Sequence, residues 1–185
     1  MAVIALCQFD LTRCFGYPYT KDKGASLGAP LIDHLVGTYE NPPRSTVAQA
    51  YDFIIETLEE AVTLMSEEKN NGRMNKYAAR ALLARIYLYH DDNRKAFDLA
   101  DQLIKDADTS GSYALYPHEK YVAAWSVEAK FGSESFFEIA NSVDDTPGRD
   151  SWGYLLNWYG YQKGFVTQKY AEQMLADPGD VRGQL

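Results

Sequence analysis

Apolar residues recur at helical spacing from the start of the chain, at Val3, Ile4, Cys7, Leu11, Cys14 and Phe15, and the pattern stops at Gly16 with Pro18 two residues on. This predicts a first helix over 3–15, with those residues forming the stripe that a helix turns toward a core. Residues 17–44 hold Pro18, Gly24, Gly28, Pro30, Pro42 and Pro43, a density of breakers that forbids a long regular element. The segment reads as an extended insertion loop, of a length usually functional or wrapped over a neighbour. Thr46 with Gln49 three residues later makes a capping box, and Tyr51, Ile54, Ile55, Leu58, Ala61, Val62 and Met65 then mark one face of a second helix to about residue 66. Its other face is acidic, with Asp52, Glu56, Glu59 and Glu60, and reads as a solvated surface.

Asn75 caps a third helix to about His90, so nearly apolar all round that it should be buried, with Arg80 and Arg85 as its charged interruptions. After the turn Asp91-Asp92-Asn93, with Asp92 or Asn93 as its cap, a fourth helix carries Ala96, Phe97, Leu99, Ala100, Leu103, Ile104 and Ala107 as its inner stripe. So short a turn makes the third and fourth helices an antiparallel hairpin. Beyond Asp106 the texture changes to Gly, Ser, Tyr and Pro, and helical periodicity is lost until Thr167 caps a last short helix to Ala176. Phe136-Phe137-Glu138-Ile139 fits a short strand within that stretch. The fold class is therefore mainly α. Helical hairpins occupy 1–108 with the insertion loop 17–44, and 109–185 is a loop-rich, aromatic part with one or two short strands.

Composition narrows the partners. The chain has 185 residues, and its 26 acidic against 18 basic residues give a net charge of -8, which repels nucleic-acid phosphates. No apolar run approaches the ~20 residues of a spanning helix, and Met1 is not followed by a secretory signal pattern. Cys7 and Cys14, seven apart on one helix, lie ~10 Å from each other, too far for a disulfide, and read as small buried hydrophobes.

The third and fourth helices also carry tetratricopeptide spacing, with Leu83, Ala84 and Tyr87 on one and Ala96, Ala100 and Leu103 on the other. The run Phe9-Asp10-Leu11-Thr12-Arg13-Cys14-Phe15-Gly16-Tyr17-Pro18-Tyr19, followed by Gly24-Ala25-Ser26-Leu27-Gly28-Ala29-Pro30-Leu31, resembles the SusD/RagB family of outer-membrane nutrient-binding lipoproteins. Further matches come in the same order at Pro43 to Val47, Gly72-Arg73 with Asn75-Lys76, Ala78 to Arg85, and Glu134 to Ile139. The resemblance implies a tetratricopeptide scaffold that packs against a SusC-like TonB-dependent transporter, with a separate loop-rich face that captures starch or another oligosaccharide or polysaccharide. It also implies a cell-surface location through an acylated cysteine, which Cys7, inside a helix, does not supply. The chain then reads as an internal fragment whose membrane link is a lipid anchor that it lacks.

Five aromatics fall within ten residues at Trp152, Tyr154, Trp158, Tyr159 and Tyr161, against an overall aromatic content of 14%. Sugar rings present apolar C–H faces ringed by hydroxyls, so a site for them wants flat aromatic platforms with amide or charged groups beside them. Asn157 joins the five as a candidate glycan-binding residue, with Gln162 and Arg149 nearby; in the family, aromatic loop residues after the Glu134 to Ile139 motif contribute to glycan capture. The competing reading is a loop anchored into a core by its rings, or a contact with further chain. Catalysis finds no support: His34, His90 and His118 lack metal-ligand spacing, no nucleophile elbow or phosphate loop occurs, and adjacent carboxylates such as Glu59-Glu60 point apart on their helix. Asp144, Asp145 and Asp150 read as turn formers before calcium ligands. The expectation is non-covalent glycan capture without cofactor, metal or reaction; the rival is a tetratricopeptide-type adaptor for protein partners.

Overall fold

A computed structural model describes residues 1–125, 130–139, 141–142 and 144–184. Two compact units emerge, the first Met1–Ala114 with Ser135–Phe137, the second Leu115–Glu134 with the residues from Glu138 onward. In the first unit, four helices follow the apolar periods: α1 (Ala2–Phe15), α2 (Val47–Leu64), α3 (Lys76–Tyr89) and α4 (Asn93–Ser110). Each packs on the next in chain order. Fully buried alanines at positions 5, 50 and 79 let the helix axes approach, while Phe9, Ile54, Leu58 and Ile86 fill the space between them.

The helix ends are capped as the sequence predicts. The Thr46 hydroxyl accepts from Gln49 N–H and the Gln49 side chain returns the bond to Thr46 N–H, closing a capping box. Asn75 Oδ1 accepts from Ala78 N–H and Asp92 from Lys95 N–H. Gly111 closes α4 in the left-handed region, at φ 67°. The α3–α4 hairpin is antiparallel: Arg80 Nη2 near the start of α3 lies 2.7 Å from Asp106 Oδ2 near the end of α4.

The insertion is shorter on irregularity than its breakers suggest. Leu27–Pro30 forms β1, which pairs antiparallel with β2 (Arg44–Thr46), and the Arg44 guanidinium donates back to the Gly28 and Leu27 carbonyls at 2.7 and 2.8 Å. Gly24 sits at φ 75° and accepts from Ala48 N–H; a Cβ there would lie 2.7 Å from that nitrogen, so only glycine fits. Buried Gln8 on α1 pins the insertion, donating to the Pro30 carbonyl at 3.1 Å and accepting from Ile32 N–H at 3.4 Å.

Four expectations need correction. On α1 the buried face is Ala2, Ala5, Gln8, Phe9 and Thr12, whereas Val3, Ile4, Leu11 and Phe15 are exposed and so are Cys7 and Cys14. The helix is apolar on two sides, and periodicity alone does not say which side α2 covers. On α4, Phe97 and Ile104 are exposed while Ala96, Leu103 and Ala107 are buried, and on α3 the last two residues, Leu88 and Tyr89, also face out. Among the described residues the strands lie at 27–30 and 44–46, and 136–139 is irregular. Phe136 is instead spent as an anchor, 4.7 Å from the Tyr113 ring and 6.2 Å from the Tyr77 ring, with no strand edge beside it. Finally, among the described residues the segment before Thr167 holds two short α-helices that periodicity misses, α5 (Tyr121–Ala124) and α6 (Trp152–Leu156); each is too short to show a helical period. The last helix, α7, runs Gln168–Leu175 with Thr167 as its cap.

Burial leaves a mark on alkaline stability. The Tyr51 phenol, 3% exposed between α1 and α3, is pushed up by burial to about 12 from its ordinary value near 10. A raised folded value leaves its stabilisation intact below the unfolded value and removes it as pH climbs between the two. Stability should therefore fall by roughly 2–3 kcal/mol between pH 10 and 12 through this group. Urea unfolding of Tyr51→Phe over that range checks it: the variant should lose less stability than the parent. Tyr87, also buried and donating to Glu59 Oε1 at 2.5 Å, is shifted the same way and accounts for a residual loss in that variant.

Candidate functional site

In the second unit, the aromatic-rich stretch is organised by its backbone. Ser151 Oγ accepts from Tyr154 N–H at 3.1 Å and starts α6, which the chain leaves at Asn157. The chain then folds back on the helix: Tyr161 N–H donates to the Tyr154 carbonyl at 3.0 Å and Lys163 N–H to the Leu155 carbonyl at 2.9 Å. Gly160 makes this return possible, because a Cβ there would run into the Tyr154 carbonyl. Gln162 takes a left-handed φ of 51° and its side-chain amide donates to the Trp158 carbonyl at 2.6 Å. Residues 151–163 thus form a loop tied by its own hydrogen bonds.

The six candidate residues separate into two groups within that frame. Tyr154 and Tyr161 meet edge to face, 5.2 Å between ring centres at 79°, and brace the loop, with Tyr154 half-buried and Tyr161 50% exposed. Asn157 holds the turn, its Oδ1 accepting from Tyr159 N–H at 2.8 Å. Trp152, Trp158 and Tyr159 are 78%, 70% and 91% exposed, and among the described residues no ring contact joins them to another aromatic. The hydrogen-bonded loop therefore carries three large, solvent-exposed rings. Arg149 lies just before the loop, exposed in the turn Gly148–Asp150.

Sequence reasoning passed over Phe165, 67% exposed two residues beyond the loop's last tie. Its signal, a lone aromatic between Gly164 and Val166, was too slight to separate from an anchor. Among the described residues no three His, Cys, Asp or Glu side chains come together as a metal site, and no helix is long and apolar enough to cross a membrane. What this loop offers chemically is exposed apolar ring area, with the Asn157 and Gln162 amides spent on its own backbone. That is the chemistry of binding by contact.

Comparison with known proteins places these features among relatives. Residues 2–88 match the model of a SusD-like family described as starch-binding and associating with the outer membrane. A crystal structure of a SusD superfamily protein from Bacteroides vulgatus is 99% identical over the whole chain, with a TM-score of 0.94. A second Bacteroides vulgatus protein, inferred to bind sugar, is 40% identical over 96% of the chain with a TM-score of 0.86. A SusD superfamily protein from Bacteroides thetaiotaomicron is 34% identical over 98% of the chain, with a TM-score of 0.84. The chain spans 41%, 40% and 40% of the lengths of these three solved chains. No curated protein matches it.

Proposed function

The chain belongs to the SusD-like family, and from that membership we propose that it captures oligosaccharide by stacking sugar rings on Trp152, Trp158 and Tyr159. The observation that carries this reading is the exposure of three large aromatic rings on a loop held by its own hydrogen bonds. Isolated exposed apolar residues are ordinary on a protein surface, but three indole and phenol rings within eight residues on a backbone-tied loop form a preorganised platform. Residues 1–108 act as the scaffold and 109–185 carry the sugar contacts. Tyr154, Tyr161 and Asn157 hold the platform's shape rather than supply its faces.

In the longer protein of which this chain is a part, capture at the outer membrane hands the glycan to a SusC-like TonB-dependent transporter. The starch-binding description of the family and the sugar-binding assignment of the 40% identical relative support a glycan as ligand. The sugar leaves as it arrived, because the platform acts through stacking area and hydrogen bonds alone.

Titration with malto-oligosaccharides and other plant and host oligosaccharides, followed by tryptophan fluorescence, tests the reading. Binding should shift the emission, and Trp152→Ala with Trp158→Ala should weaken it at least about tenfold, on the order of 1.4 kcal/mol or more. A double variant that folds as the parent does and keeps the parent's affinity overturns the platform. The bound sugar should be recovered at its original chain length after prolonged incubation.

A further inference from the structure

Within the insertion, Gln8 pins the chain as far as Ile32, and pairing resumes at Arg44 of β2. Among the described residues, segment 33–40 between these two points makes hydrogen bonds only with itself. His34 joins its ends: Nδ1 lies 2.6 Å from Asp33 Oδ1, and Nε2 lies 2.7 Å from Glu40 Oε1. The second oxygen of Glu40 accepts from Gly37 N–H at 3.1 Å, and Glu40 N–H donates to the Gly37 carbonyl at 3.0 Å. One imidazole thus closes a loop whose Leu35 and Tyr39 side chains are 97% and 95% exposed.

An ionised carboxylate only accepts hydrogen bonds, and a neutral imidazole donates from one ring nitrogen while the other holds a lone pair. A carboxylate on each nitrogen is therefore satisfied only by the imidazolium, which donates to both. We propose that segment 33–40 is a proton-operated clasp, closed while His34 carries both ring protons and released when one leaves. Loss of a proton sets a ring lone pair against a carboxylate. Asp33 adjoins His34 in the chain and stays beside it, whereas Glu40 reaches it across the loop and leaves. The contact with His34 holds the Asp33 carboxyl below its usual range, and the Gly37 amide followed by His34 does the same for Glu40, so both stay ionised. Asp33 and then Glu40 raise the imidazole above its ordinary 6.5. The clasp is therefore whole below pH 6.5 and is lost as pH rises through the raised value. Across an open groove of about 570 Å³, α1 faces the loop with Val3, Ile4, Cys7, Gln8 and Leu11, among which only the Cys7 thiol titrates. Asp10 and Arg13 of the same helix pair with each other at 2.6 Å. Because the clasp's groups are exposed, it governs this loop and leaves global stability nearly untouched.

An NMR titration of this chain between about pH 5 and 9 follows its three histidines, with His34 assigned by the signal missing from His34→Gln. His34 should titrate more than about half a pH unit above 6.5, and Glu40→Gln should bring its midpoint down. A midpoint lower than that, or one that ignores Glu40→Gln, overturns the proposal. Release of the loop is read separately by chymotrypsin nicking at Leu35 and Tyr39, with the cut sites identified by mass spectrometry. The rate for the parent relative to His34→Gln cancels the protease's own response to pH. The parent should be cut at least about threefold more slowly than the variant near pH 6 and equally fast near pH 9. A ratio that does not change with pH overturns the clasp even where His34 titrates high.

Discussion

Truncating Phe9 to alanine is expected to cost about 3–5 kcal/mol of folding stability. The ring is 1% exposed and sits edge-on to Tyr51 at 6.3 Å and to Tyr89 at 5.3 Å, with the Arg13 guanidinium 5.1 Å from its centre. Removing it deletes the transfer energy of a whole aromatic side chain and leaves a hole that rings fixed by α2 and α3 fill poorly. Against a total stability of roughly 5–15 kcal/mol, that loss brings the fold near its limit. Phe15→Ala, on the same helix but 65% exposed, should stay within about 0.5 kcal/mol in this chain. Urea midpoints at constant slope measure both, and equal effects would mean that α1 presents its other face to the core.

Asn75→Ala should be nearly as damaging, at roughly 2–4 kcal/mol, because one buried side chain serves two elements. Its Oδ1 caps α3 through Ala78 N–H at 3.0 Å, and its Nδ2 donates to the Tyr113 hydroxyl at 2.7 Å and the Glu68 carbonyl at 3.2 Å. Tyr113 in turn packs on Tyr77 and Phe136 at 5.1 and 4.7 Å, closing the small second core of this unit. Loss of the amide removes the cap and the buried partner of the Tyr113 hydroxyl. Tyr113→Phe removes only one of these bonds and should cost about 1 kcal/mol. In a double-mutant cycle, the two substitutions together should cost less than the sum of each alone; strict additivity would show that the bond contributes nothing.

Much of this was legible in the order of the residues. The Thr46–Gln49 box, Asn75, Asp92 and Thr167 announce where helices start, since a cap acts through hydrogen bonds to backbone two or three residues away. Gly16, with Pro18 behind it, announces where the first helix stops. The density of rings from Trp152 to Tyr161 pointed to a site. It was silent on the division between Tyr154–Tyr161 as a prop and Trp152, Trp158 and Tyr159 as exposed faces, which follows from the chain folding back through Gly160. The short helices α5 and α6 escaped because four or five residues hold too little of a helical period to read.

Sequence alone determined the longer helices, their caps and the family, because these rest on neighbours within a turn or on an ordered run of motifs. Tertiary structure decided which side of each helix is buried, and so moved Phe15, Phe97, Ile104 and both cysteines from the expected interior to the surface. It likewise put the strand pair at 27–30 and 44–46 and gave Phe136 to an aromatic anchor. The physical reason is common to all of these. Apolar residues and strand-forming residues state only that they need a covering partner, and which surface receives it is fixed by contacts between segments far apart in the chain.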